Sequence, residues 1–410
     1  MSGLKYLMVL PVEHYRLDAN RVALESAFAE HLLLLRDRAT ALGLRLVVAM
    51  RPMSAAAYEH AGNSLAVHDA VATGIEVITL EASSGSFTKT LKTLRAATAQ
   101  AAVVHTGLSF AIKHPTELVA WLMGWARRRV TIFVVDIDFR GEGRMGGAVS
   151  AKPSVFQRFL LAQLRLAVSL CSVVLLKGKR FAAEYAKGHP NVHSFLDAAH
   201  SAEYLLPAEV LAAKFASLED RTCPLELVYF GRFVERKGIA EMVRTLAAAR
   251  ALGVNTELHL YGSGPQRGEL IALAAELDIV EHVFWHEPIP YGPELFAAVA
   301  KHHLLLGMPL TPDTPRNAID AMAVGVPFLA FDTDYYRELA SSGAGTCAPW
   351  PDINAAAAVL AELDEDRTRL KAMATAAHAF AVANTQESWV ARRDAWTREA
   401  LRQRGFLSER

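Results

Sequence analysis

Arg316, Asn317 and Asp320 place a cation, an amide and a carboxylate at i, i+1 and i+4 within Thr311-Pro312-Asp313-Thr314-Pro315-Arg316-Asn317-Ala318-Ile319-Asp320-Ala321-Met322-Ala323-Val324-Gly325-Val326-Pro327. The stretch reads as a short helix. Thr314 is a good N-cap, Pro315 suits the first helical position because its missing N–H costs nothing there, and Gly325 followed by Pro327 closes the far end. Ala318, Ile319, Met322 and Ala323 fall on one face, so the polar trio is expected on another. A helix N-terminus carries free N–H groups and a partial positive charge. With Arg316 beside it, it could seat an anionic or hydroxyl-rich ligand, and Asp320, one turn in, could accept hydrogen bonds from a diol such as a ribose. A capped surface helix with a solvated polar face would use the same residues, so the stretch alone leaves both readings open.

Such groups act only where a scaffold brings them together. Leu4 to Pro11 is an apolar run suited to a buried parallel strand, Arg21 to Leu42 has helical periodicity through Leu24, Phe28, Leu32 and Leu35, and Leu44 to Met50 reads as a second strand. The alternation continues with strands at Glu76 to Leu80, Ala101 to His105, Val130 to Val135, Ser172 to Leu176 and Val192 to Leu196, and helices at Phe87 to Gln100, Pro115 to Arg128 and Val155 to Leu170. This pattern predicts a parallel sheet covered on both faces, with its ligand crevice beyond the carboxyl ends of the strands. Glu13 and His14, His105 and Thr106, and Asp136, Asp138 and Arg140 fall at those ends. Each could equally satisfy neighbouring backbone, and their coincidence at one rim is what marks them. Asp136-Ile137-Asp138 resembles the Asp-x-Asp of metal-dependent sugar transferases, whose paired carboxylates hold a divalent ion against a diphosphate. Arg140 and Arg144 would neutralise both carboxylates, which favours structural or acceptor-contacting roles. Gly141, Gly143, Gly146 and Gly147 make the following stretch a flexible loop expected to order on ligand binding.

A chain of 410 residues exceeds one ordinary core, so two domains are expected, at 1–200 and 201–385, followed by a terminal helix at 386–410. With 52% hydrophobic and 21% charged residues there is ample material for buried sheets. The 43 basic and 43 acidic side chains balance, which argues against general nucleic-acid binding. The three cysteines, Cys171, Cys223 and Cys347, fit a reducing compartment rather than a disulfide framework or a cysteine-based zinc site. Lys5, Glu13 and His14 bound the apolar run Tyr6 to Val12, so no signal peptide is expected. Phe159 to Leu176 is long enough to cross a bilayer, but Gln163 and Arg165 interrupt it and Cys171 to Leu176 reads as a separate strand. The expectation is a soluble, cytoplasmic protein.

In the second half, the strand Leu225 to Phe230 runs into Gly231-Arg232-Phe233-Val234-Glu235-Arg236-Lys237-Gly238, and the strand Glu257 to Tyr261 ends in Gly262-Ser263-Gly264-Pro265. Gly262 and Gly264 would let backbone approach a ligand closely. They do not make a dinucleotide fingerprint, because the third glycine would have to stand at Arg267. These turns, with Val283-Phe284 and Asp320-Ala321-Met322-Ala323-Val324-Gly325-Val326-Pro327, follow the order and spacing of the donor half of family 4 retaining glycosyltransferases, which the chain resembles over roughly residues 225 to 365. The resemblance implies the GT-B architecture, two Rossmann-like parallel-sheet domains facing across a cleft, with 386–410 crossing back to the first. It implies transfer from a nucleotide sugar without a bound metal or other cofactor. Arg232 and Lys237 would grip the donor diphosphate, with Gly231, Gly262, Gly264, Arg316, Asn317 and Asp320 completing the donor site. Two fixed cations there would stabilise the charge that grows on the leaving phosphate more than they stabilise the ground state.

The chain departs from that family at particular places. Asp320 occupies the second position of the family's carboxylate pair, as aspartate rather than glutamate, while the first falls on Pro312 with Asp313 beside it. The usual acidic contact to the transferred sugar is therefore missing or shifted. Glu13-His14-Tyr15-Arg16 replaces the usual glycine-rich loop after the first strand, so Glu13, His14, His105, Asp136 and Asp138 stand as acceptor-side candidates. Tyr335, Tyr336, Arg337 and Glu338 follow the strand Phe328 to Phe331, where such enzymes have a loop near the donor.

The acceptor is left open among a glycan, a lipid-linked molecule and a small molecule. Trp121, Trp125 and Arg127-Arg128-Arg129 fit a peripheral helix on an anionic membrane, although core tryptophans ending in a solvated basic turn fit better. His302 and His303 are adjacent and could not both face one ion from a helix, so no structural metal is expected. Two other functions share the scaffold: a GT-B sugar-nucleotide epimerase, and a degenerate sugar-nucleotide-binding protein marked by Pro312.

Overall fold

The computed structural model describes residues 3–61, 65–81, 87–136, 138–139, 154–196, 198–218, 220–312 and 314–408. Arg140, Arg144 and the glycines that follow Arg140, together with Asp197 and Asp313, lie outside the described residues. The chain divides into two compact units, one from Met1–Asp136, Pro153–Phe195 and Val390–Arg410, the other from Ile137–Lys152 and Leu196–Trp389.

The first unit contains β1 (Lys5–Arg16), β2 (Arg21–Glu25), β3 (Arg45–Pro52), β4 (Leu65–Asp69), β5 (Glu76–Thr79), β6 (Ala101–Gly107), β7 (Val130–Val135), β8 (Val173–Lys177) and β9 (Val192–Phe195). Its parallel sheet has the order β5-β3-β1-β6-β7-β8-β9. Continuous apolar runs such as Val47, Val48 and Ala49 are buried, as expected of strands covered on both faces.

Two strands escape the sequence reading. The chain over Arg21–Glu25 is strand, not helix, and the helix begins at Ser26 and ends at Ala41. Val22, Ala23 and Leu24 form a short buried apolar run, and so short a run fits a helix as well as a strand. Pairing decides: β1 extends to Arg16, its far end pairs antiparallel with β2 (Tyr15 opposite Ala23), and β2 pairs antiparallel with β4. Glu13 and His14 therefore lie inside β1, opposite Arg51 and Pro52, rather than in a loop beyond its end. Val155–Leu170 is a helix and β8 is separate from it, and no helix among the described residues is long and apolar enough to cross a membrane.

The second unit holds β10 (Leu225–Phe230), β11 (Thr256–Tyr261), β12 (Val283–His286), β13 (Leu304–Gly307), β14 (Phe328–Phe331) and β15 (Gly345–Ala348). They form one parallel sheet in the order β12-β11-β10-β13-β14-β15. That is the Rossmann order, and it reverses between β10 and β13, where such sheets open a ligand crevice. Leu225, Leu227 and Tyr229 of β10 and Leu258 and Leu260 of β11 share a core with Met242, Val243 and Leu246 of the helix Ile239–Ala251.

Candidate donor site

At the carboxyl ends of β10 and β11 two turns lock together through backbone. The Gly231 N–H donates to the Tyr261 carbonyl at 3.0 Å and the Phe233 N–H to the Ser263 carbonyl at 2.8 Å. A Cβ on Gly262 would stand 2.0 Å from the Gly231 oxygen, and one on Gly264 2.3 Å from the Phe233 oxygen. The absent side chains thus let the turns pack on one another, where the sequence suggested room for a ligand. Gly238 ties in the next strand. Its φ is 67°, and a Cβ would meet the Met308 carbonyl oxygen at 1.7 Å, while the Leu310 N–H donates to the Arg236 carbonyl at 3.0 Å. The turn bearing Arg232 and Lys237 is therefore fixed against the segment after β13, beside the point where strand order reverses.

Arg232 is exposed and its guanidinium has no partner among the described residues; the Tyr229 hydroxyl donates to its carbonyl at 3.3 Å. Lys237 is half-buried, one residue before Gly238. The cation-bearing turn is thus held by its backbone, and the Arg232 guanidinium is open to solvent.

The helix that the sequence placed at residues 315–324 is Arg316–Ala323, with Pro315 at the N-cap and no side-chain cap bond. Thr314 does not cap it; instead the Arg316 N–H donates to the Thr314 carbonyl at 2.8 Å. Arg316 is exposed and Asn317 half-buried, whereas Asp320 is only 4% exposed, so the three do not share one solvated face. From Ala318 to Ala323 the helix is buried on every side, because it is enclosed in the unit rather than laid on its surface. Asp320 Oδ1 accepts from the Tyr291 hydroxyl at 3.3 Å and stands 3.8 Å from His200 Nδ1. Burial, and then the Asp320 charge, raise the Tyr291 pKa, keeping the phenol a donor.

Tyr291 and His200 carry no mark in the sequence. Tyr291 sits in a turn between elements, and His200 in a connection that reads as linker; neither has a local pattern. After β14, the Tyr336 hydroxyl fills the space beside Gly307, where a Cβ would be 2.5 Å away. Arg337 pairs with Asp332 at 2.7 Å and Asp334 at 3.1 Å.

The candidates in the first unit separate by burial. His14 is 1% exposed with Nε2 2.9 Å from Thr79 Oγ1, and burial followed by the nearby Arg16 charge lowers its pKa. His105 lies within β6, is buried, and has Nδ1 2.9 Å from the Tyr6 hydroxyl. His14, although inside β1, lies level with Pro52 and Thr79 at the carboxyl ends of β3 and β5 and is buried there, whereas His105 stands two residues inside β6, which runs further than the apolar pattern suggests. Glu13 and Asp136 are exposed. Asp138, which groups with the second unit, donates its N–H to the Tyr335 hydroxyl at 3.0 Å. Trp121 packs edge-on against Phe133 in the core and only Trp125 is exposed, so the two tryptophans do not share a membrane-facing surface.

Two Rossmann-like parallel-sheet units, with glycine-locked turns at the reversal point of the second, define a mixed α/β fold of the GT-B type. Its matches are consistent: over 97% of this chain and 100% of theirs it superposes on Anabaena HepE in complex with UDP (TM-score 0.67, 15% identity) and on sucrose-phosphate synthase from Thermosynechococcus elongatus (TM-score 0.64, 16% identity). At such identities the likeness is one of fold. Residues 213–380 match the family model for glycosyl transferases group 1. Over 172 residues the chain is 30% identical to a GDP-mannose-dependent alpha-(1-6)-phosphatidylinositol monomannoside mannosyltransferase of Mycolicibacterium smegmatis; the matched part is 39% of this chain and 44% of that protein, so less than half of the relative's length is spanned.

Proposed function

We propose that this protein is a retaining glycosyltransferase that moves a sugar from a nucleotide-diphosphate donor to an acceptor hydroxyl. The observation that carries the reading is the turn from Gly231 to Gly238, rigidly seated against Met308 and carrying Arg232 and Lys237, inside the segment that matches the group 1 family. In the reaction the bond between the anomeric carbon and the diphosphate oxygen breaks, and its electron pair stays on that oxygen. The acceptor oxygen bonds to the same face of the carbon, and its proton passes to the departing phosphate. Arg232 and Lys237 stabilise the charge that develops there, which lowers the barrier because the attraction grows toward the transition state. Gly231, Gly262 and Gly264 place the turns, and Arg316 and Asn317 stand at the N-terminal end of the helix Arg316–Ala323. Asp320 is reached by a ribose hydroxyl replacing the Tyr291 contact. Glu13 and Asp136, being exposed, are the acceptor-side candidates retained.

The mycobacterial relative makes GDP-mannose the first donor to try and a lipid-linked mannoside the first acceptor, with UDP sugars next because HepE was crystallised with UDP. Thermal-shift titration with GDP, UDP, ADP and dTDP identifies the base, since a ligand that binds only the folded chain raises Tm. Product anomeric configuration by NMR then tests retention. Inversion, or the absence of a shift with every nucleotide, overturns the proposal.

A further inference from the structure

We propose that Glu226, His259 and His302 form a divalent-metal site of the zinc class on the face of the second sheet opposite its main core. One ligating atom from each lies within 4.8 Å of the others. Zinc bonds of roughly 2.0–2.2 Å put tetrahedral donors about 3.4 Å apart, so a small side-chain adjustment closes the set. The topology makes the meeting. His259 pairs with Val228 on β10 and Phe284 on β12, and with alternation Glu226, His259, Tyr261 and His286 project from one face while Leu225, Leu227 and Leu258 fill the core on the other.

The histidines are oriented as metal ligands are. His259 Nδ1 is engaged by His286 Nε2 at 3.1 Å, and His302 Nε2 by the Tyr261 hydroxyl at 3.1 Å. The remaining nitrogens, His259 Nε2 and His302 Nδ1, are buried; the first has no hydrogen-bond partner among the described residues, and the second has the Glu226 carboxylate beside it. His302 is 3% exposed, and its Nδ1 stands 3.4 Å from Glu226 Oε2. One ring nitrogen held by a neighbour and the other left open beside a carboxylate is the arrangement that fixes tautomer and direction in metal-binding histidines.

The backbone is held as well. Lys214 Nζ donates to the carbonyls of Ala300 and His302, at 2.7 and 2.9 Å. His303 turns away from its neighbour, its Nδ1 accepting from the Glu226 N–H at 3.1 Å. The adjacency of His302 and His303 thus divides their tasks: one faces the ion and the other anchors the strand that supplies the carboxylate. A metal here would clamp β10, β11 and the entry to β13, the strands whose far ends carry the turns of the donor site.

The test uses untagged full-length protein, stripped with EDTA, dialysed and titrated with Co2+ and then Zn2+. We expect one Co2+ per chain with a visible d–d band, displacement of that band by Zn2+, and a rise in Tm with Zn2+. Glu226→Gln and His259→Gln, both at half-buried positions and checked for folding by circular dichroism, should each weaken binding by at least about 10-fold. His189→Gln, in the first unit, should leave it unchanged. Absence of a saturable band, or binding that survives both Glu226→Gln and His259→Gln, overturns the proposal.

Discussion

Asp320 and His200 meet deep in the second unit, Oδ1 3.8 Å from Nδ1, while His200 Nε2 lies 3.0 Å from the Ala381 carbonyl. A carbonyl only accepts, so Nε2 donates to Ala381, and that bond turns Nδ1 toward the Asp320 carboxylate.

This relationship makes Asp320 testable apart from its burial. Asp320→Ala leaves the Tyr291 hydroxyl without its acceptor and should cost about 1–3 kcal/mol in urea denaturation. Asp320→Asn keeps an oxygen for the Tyr291 hydroxyl, so most of that stability should return. If Asn also restores the nucleotide-induced rise in Tm, the carboxylate does not contact the ligand.

Gly238 should tolerate no side chain. Gly238→Ala forces a left-handed alanine, about 1–2 kcal/mol unfavourable, and drives its Cβ into the Met308 carbonyl, so the turn must move. The expected result is a lower urea midpoint together with a loss of kcat/KM larger than that of a surface glycine such as Gly188, where nothing stands near the Cβ position. Wild-type turnover in Gly238→Ala would show that this seat does not position Lys237.

Arg232 should behave in the opposite way. Its side chain is exposed and its guanidinium has no partner among the described residues, so Arg232→Ala should shift stability by less than about 0.5 kcal/mol. Its loss should nevertheless lower kcat by about 10² to 10³, the range for removing one group that stabilises developing charge. Lys237→Met should follow in kcat. Unchanged turnover in both variants would remove the assigned diphosphate role.

His105 predicts a dependence of stability on acid. Burial, and then the Arg393 charge, depress its pKa from 6.5 to about 3 in the folded chain. The unfolded chain takes up this proton first, so the contribution is fully present above pH 6.5 and is lost progressively as pH falls toward 3. His105→Gln should flatten urea midpoints across that window, by at most about 1.4 kcal/mol per pH unit. An unaltered slope would mean that His105 is protonated in the folded state.

Much of this protein is local and therefore written along the chain. Apolar runs alternating with helical periodicity determine two parallel sheets, and Gly238, Gly262 and Gly264 mark the turns because only glycine fits those backbone approaches. What a residue meets across the fold is not local. Val22 to Leu24 became strand through pairing with Tyr15, Asp320 turned inward because its helix is enclosed, and Glu226, His259 and His302 gathered because parallel pairing aligned strands distant in sequence. Hydrophobic pattern specifies that a face is buried; which polar groups share that burial depends on strand order and register, and these exist only once the chain has folded.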